Sequence, residues 1–176
     1  MGFMTDKKVL IVGVATERSI AWGIAEAMHR EGAELAFTYA SDKLKERVEP
    51  LAASVGSSLV LPLDVTKDDE IDAAFAAIQQ AWGALDVVVH AVAFAPREAL
   101  AGGFVQSTSR EAFAIAHDVS SYSLTALARG AAPLMQGRAG AMYGQSDDFR
   151  GVGILFDSYG GGESGERVEP FVVAVL

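Results

Sequence analysis

The sequence predicts an α/β protein built on a doubly wound parallel sheet, and three observations predict it. Residues 8–14, KVLIVGV, form an apolar run that ends in a glycine turn, and from Ser19 onward Ile20, Ile24, Ala27 and Met28 fall at helical spacing. The same order of apolar run and amphipathic stretch recurs twice more before a fourth apolar run at 86–93. Each strand-helix-strand unit has the length of a right-handed crossover, which makes neighbouring strands parallel and puts helices on both faces.

The first strand, 8–14, ends at Gly13, which lets the chain turn without a Cβ clash. Ser19 is a suitable N-cap for the helix that follows, and its neighbouring amides lie at the positive end of the helix dipole, where a pyrophosphate can settle. Gly23, one turn into that helix, is expected to allow close packing on the sheet. The G-x5-S-x3-G spacing by itself suits any strand-to-helix loop as well as it suits a phosphate site, so its context decides. That context is a second strand at 33–39, a helix at 42–54, a third strand at 58–63, a helix at 68–82, the fourth strand at 86–93 and a long helix at 110–134. Ligands of such sheets bind beyond the carboxyl ends of the strands, which places Gly13, Asp64 and residues 91–94 along one rim.

Composition narrows the function classes. The 176 residues, 51% of them hydrophobic, suffice for one domain with a sizeable core. Acidic residues outnumber basic ones, 23 to 14, for a net charge of −9 without a cationic run, which argues against a nucleic-acid partner. There is no cysteine, hence no disulfide or thiolate metal site. No apolar stretch approaches the roughly 20 residues needed to span a bilayer, and the first residues lack the apolar core of a signal peptide, so no membrane association and a cytoplasmic location are expected. His29, His90 and His117 have no metal-ligand spacing, no metal site is expected, and each histidine reads as structural or superficial.

Several blocks carry a resemblance: SIAWGIAEAMHREGAELAFTY at 19–39, DKLKERVE at 42–49, LDV at 63–65, HAVAFAP at 90–96 and REAFAIAHDVSSYS at 110–123. Over residues 1–142 the chain resembles the N-terminal half of the NADH-dependent enoyl-acyl-carrier-protein reductases, divergent members of the short-chain dehydrogenase/reductase superfamily. The resemblance implies a truncated Rossmann-type dinucleotide-binding domain over 1–142 and NAD as cofactor. It implies that Gly13, Ser19 and Ile20 hold the pyrophosphate, Asp64 and Val65 flank the adenine, and Ala93 lies beside the nicotinamide ribose. The implied activity is reduction of an enoyl thioester carried on acyl carrier protein, in fatty-acid synthesis. Ala91 and Ala93 stand where the family usually has serine and glycine. No carboxylate ends the second strand to grip ribose hydroxyls and no arginine awaits a 2′-phosphate, so the choice of NADH rests on the resemblance.

Catalysis is where the chain departs from that pattern. Reductases of the superfamily use a tyrosine and a lysine seven positions later, two turns apart on one helix face. The tyrosines here are 39, 122, 143 and 159, and none has a lysine seven residues later; no lysine follows Lys67. Tyr143 and Arg150 have that spacing, but Gly144, Asp147 and the Gly151-Val152-Gly153 run argue against a helix between them. The catalytic residues are therefore unassigned and impaired catalysis is expected. Tyr122 is expected to pack, Phe94 and Pro96 could line a pocket mouth, and Ser120, Ser121 and Ser123 lack the surroundings of a hydrolase nucleophile.

From Tyr143 the alanine-rich composition gives way to a glycine-rich one, read as a loop, a strand at 153–157, a loop at 160–165 and a strand at 171–176, an irregular C-terminal tail with some β structure. Residues 143–176 resemble a fragment of the L-type (legume-like) lectins, in which Asp157 would match a mannose-contacting aspartate; its plainer reading is a strand cap. A junction near 136–143 would mark a fusion, a frameshift product or a chimera. Two functions follow: a reductase-like chain that binds NADH, or a non-catalytic nucleotide-binding or interaction remnant with a lectin-derived tail. An apolar face left partly uncovered by the helix from Arg110 suggests a homo-oligomer.

Overall fold

The computed structural model describes residues 2–138, 140–146 and 149–155. Its strands are β1 Lys8–Val12, β2 Glu34–Tyr39, β3 Val60–Pro62, β4 Val87–His90, β5 Ala141–Ser146 and β6 Phe149–Leu155, joined in one sheet of order β3-β2-β1-β4-β5-β6. The first five strands run parallel and β6 returns antiparallel to β5. The order reverses between β1 and β4, so the chain winds outward in both directions from the centre, as the sequence predicts.

Burial follows the period of the strands. In β1, Leu10 and Val12 face a cluster with Phe75, Ile78 and Leu127, supplied by α3 (Asp68–Trp82) and α6 (Ser123–Ala131). Val9 and Ile11 face the opposite cluster with Trp22, Phe37 and Val48, supplied in part by α1 (Ile20–Arg30) and α2 (Asp42–Ser54). A parallel sheet covered on both faces needs unbroken apolar strands, which is why β1 lacks alternation. Gly130 lets α6 close on α3, since a Cβ there would stand 2.3 Å from the Phe75 ring.

Between β4 and α6 the chain forms a 3-10 turn at Arg97–Leu100 and the helices α4 (Phe104–Ser107) and α5 (Arg110–His117), then widens into a π turn, Asp118–Tyr122. The helix expected at 110–134 is thus four consecutive segments: α5, the π turn, α6 and a 3-10 turn at Ala132–Met135. The segment from Tyr143 differs from its expected loop: β5 pairs with β4 from Val87↔Ala141 to His90↔Gly144, and β6 begins at Phe149. The neighbouring strands supply the partners that the glycine-rich sequence does not advertise. β5 crosses the expected domain boundary between residues 142 and 143. Asp157, the loop at 160–165 and the strand at 171–176 lie outside the described residues.

Asp86, just before β4, has 1% exposure and sits in a cage of donors. Arg138 meets both of its oxygens, Nε at 2.9 Å and Nη2 at 2.8 Å; the Lys8 amide donates at 2.9 Å and Lys7 Nζ lies at 3.4 Å. Burial works against the charge, but the Arg138 bonds, the Lys8 amide and the nearby cations hold the carboxyl below its ordinary range.

Candidate functional site

The carboxyl rim of the sheet holds a hollow of ≈ 290 Å³ lined by Gly13, Arg18, Ser19, Ile20, Ala21, Ala91 and Ala93. Three segments build it. The end of β1 turns at Gly13 with φ 112°, and a Cβ there would overlap the Ala91 carbonyl oxygen at 2.1 Å, so two strand ends meet at a distance only glycine permits. The register continues up to this point, with Val12 opposite His90 and the Ala91 amide donating to the Val12 carbonyl at 2.8 Å.

The second wall is the start of α1. Ser19 occupies the N-cap position, but its hydroxyl does not cap the helix: Oγ accepts from the Ala15 and Thr16 amides at 3.0 and 2.9 Å. It therefore folds the loop back on the helix start. The Trp22 and Gly23 amides donate to the Ser19 carbonyl, which leaves those of Ile20 and Ala21, both at the hollow, as the first-turn donors available to an anion. Arg18, which sequence reasoning passed over, adds a cation; its position immediately before Ser19 was the signal. Gly23 does not pack on the sheet as expected. It is exposed, with nothing within 4 Å of where its Cβ would be.

Residues 91–94 form the third wall. Ala93 is exposed at the hollow, Phe94 is 53% exposed, and Pro96 is buried. Asp64 and Val65 lie on the same rim but outside this hollow, at the end of β3, two strands from β1 and so about 10 Å away. Val65 is buried in the core. Asp64 Oδ1 accepts from the Thr66 amide at 3.1 Å and from the Thr66 hydroxyl at 2.8 Å, a turn that leads into α3. Burial opposes the charge, and the Thr66 bonds with the Lys67 ammonium outweigh it, so the Asp64 carboxyl sits below its usual range. A larger hollow of ≈ 470 Å³, near His29, Glu34 and Trp82, opens on the opposite rim, away from the strand ends where such sheets hold ligands.

The family model described as "Enoyl-(Acyl carrier protein) reductase" matches residues 13–151. The chain belongs to this family. It is 55% identical over 142 residues to the NADH-dependent enoyl-acyl-carrier-protein reductase of Neisseria meningitidis, covering 81% of this chain and 54% of that protein. It is 56% identical over 129 residues to the Salmonella typhimurium enzyme, covering 73% and 49%. Among solved structures, the Aquifex aeolicus reductase superposes with a TM-score of 0.78 at 52% identity, covering 80% of this chain and 56% of that one. The reductase of Anaplasma phagocytophilum in complex with NAD does so at 0.76 and 44% identity, covering 81% and 54%. The chain spans about half the length of the relatives it matches.

No tyrosine among the described residues shares a helix with a lysine seven positions later. Tyr122 is 42% exposed rather than packed, and its hydroxyl accepts from Arg129 Nη2 at 3.4 Å. Tyr143 and Arg150 fall on the two arms of the β5–β6 hairpin and share no helix face. His90 is buried at the end of β4 and bonded to Ser123 Oγ at 2.7 Å; burial lowers its pKa to about 4. Among the described residues no helix is long and apolar enough to cross a membrane.

Proposed function

We propose that the chain binds NADH along the carboxyl rim and is the cofactor-binding part of an NADH-dependent enoyl-acyl-carrier-protein reductase. The observation that carries this is the hollow itself: a floor without a Cβ at Gly13, two first-turn amides and Arg18 on one side, and a small-residue wall ending at Ala93 on the other. That donor set suits a pyrophosphate. Ile20 and Ala21 would hold it through their amides, Gly13 would let it approach the backbone, and Ser19 would fix the loop around it. Farther along the rim, Val65 would flank the adenine, and Asp64 Oδ2, the oxygen that Thr66 does not engage, would accept from its amino group. Ala93 would abut the nicotinamide ribose, its methyl narrowing the space there. When bound, NADH supplies a hydride to the double bond of an enoyl thioester on acyl carrier protein, as in fatty-acid synthesis.

A second reading, a non-catalytic nucleotide-binding remnant with a lectin-derived tail over 143–176, is favoured by one observation: no tyrosine in these 176 residues has a lysine seven positions later. Either reading places the chain in the cytoplasm. It also pairs the chain with a second copy, since Phe104, Val105 and Phe113 are more than half exposed. Calorimetric titration of NADH, followed by a turnover assay on an enoyl thioester read from the absorbance of the reduced nicotinamide, separates them. Binding with turnover supports the reductase, binding without turnover supports the nucleotide-binding remnant, and no binding by folded protein removes both and leaves only an interaction remnant.

A further inference from the structure

The helix behind the 91–94 wall is widened by one π turn, Asp118–Tyr122, and two serines around that turn reach the end of β4 and the segment that follows it. Ser120 Oγ accepts from the Phe94 amide at 3.0 Å and donates to the Phe94 carbonyl at 3.2 Å. Ser123 Oγ lies 2.6 Å from the Val119 carbonyl and is hydrogen-bonded to His90 Nε2 at 2.7 Å. The two serines hold the strand end at both sides of the wall, His90 below and Phe94 above, with Ala91 and Ala93 of the hollow between them. Single π turns of this kind gather at functional sites.

We propose that Ser120 is a positioning residue for the nicotinamide side of the hollow: by clamping both backbone groups of Phe94 it sets how far the Ala91–Ala93 wall stands from a bound dinucleotide. Ser123, through His90, anchors the base of that wall. The inference rests on the NADH reading, and it assigns Ser120 to one half of the ligand only. The phosphate and adenine contacts lie on β1, α1 and the end of β3, none of which Ser120 touches.

The test compares NADH with ADP, which carries the adenosine and pyrophosphate without the nicotinamide half, by calorimetry on the full chain and on Ser120→Ala. Loss of the clamp is expected to weaken NADH about tenfold while changing ADP less than about twofold. The fluorescence enhancement of bound reduced nicotinamide should fall in parallel. Equal losses for both ligands, or no loss for NADH, would overturn the proposal while leaving the NADH reading intact; failure of the unaltered chain to bind either ligand would end both. A measurement that needs no variant is amide hydrogen exchange at Phe94. NADH should slow it and ADP should not, and an equal response to both would count against the clamp.

Discussion

The two ends of β4 each carry a buried titratable side chain, and the surroundings treat them oppositely. Asp86, at the amino end, is kept ionised by Arg138, Lys7 and the Lys8 amide, which together tie the amino rim shut. His90, at the carboxyl end, is kept neutral by burial and meets one serine. Side chains satisfy one another where no ligand is awaited. Across the sheet, the carboxyl rim is built from backbone amides, glycine and alanine, and its polar groups are left facing a hollow. The same strand therefore serves as a staple at one end and as a support for a ligand wall at the other.

Breaking the staple should have the largest effect. Asp86→Ala removes the acceptor of two guanidinium bonds and leaves the Lys8 amide without the carboxylate it donates to. A loss of about 3 to 4 kcal/mol in unfolding free energy is expected, read by urea denaturation. Affinity for NADH, measured on the folded fraction, should change little, because the two rims are separated by the length of β4. A large affinity loss would show that the ends are coupled.

Acid should distinguish the ends by window. His90 has its folded pKa lowered to about 4 from 6.5, so the unfolded chain takes up its proton first as pH falls. Stability is complete above the unfolded value and is lost as pH drops from about 6.5 toward about 4, by up to about 3 kcal/mol from this group. His90→Gln, which retains a donor for Ser123, should flatten that part of the curve. Asp86 also has a depressed folded pKa, but its contribution persists above the ordinary carboxylate value of about 3.9 and disappears only below it. Denaturation midpoints across pH should therefore fall in two stages, and Asp86→Asn should shrink only the lower, which Asp64 shares.

Gly13→Ala addresses the carboxyl rim. A positive φ and a Cβ forced against the Ala91 carbonyl should cost about 2 kcal/mol of stability and abolish measurable NADH binding, because strand ends that separate carry the wall away from α1. Binding that survives with stability reduced would make the glycine a packing requirement alone.

How much of this was legible depended on whether the forces were local. Helices α2 and α3 appear at the residues their periodicity marks, 42–54 and 68–82, because each has an apolar face and punctuation nearby, such as Gly83 in the left-handed conformation after α3. β4 is shorter than its apolar run, since pairing with β1 stops at Val12 and residues 91–94 leave the sheet to form the wall. The π turn was not legible, because the bonds accompanying it run from Ser120 to Phe94 and from Ser123 to His90, 26 and 33 residues away. Nor was the Asp86–Arg138 tie, which spans 52 residues. β5 was hidden by Gly144 and by the absence of alternation. Of the site residues, Gly13, Ser19, Ile20 and Ala93 line one hollow, whereas Asp64 and Val65 share only the rim.

Ser19 gives the finest discrimination, because its identity was legible and its bonds were not. If its hydroxyl mattered as a helix cap, acidic replacement would act on α1; instead it gathers the Ala15 and Thr16 amides, which a carboxylate accepts from equally well, at a helix start that favours negative charge. Ser19→Asp should therefore leave stability within about 0.5 kcal/mol of the original. The added charge would face a pyrophosphate across the hollow, and NADH should weaken about tenfold, or about 1.4 kcal/mol, with a steeper salt dependence as screening relieves the repulsion. Unchanged affinity would move the pyrophosphate off this turn. A fall in stability equal to the fall in affinity would show instead that the loop tolerates only a hydroxyl, and that the sequence motif marks a fold constraint rather than a contact.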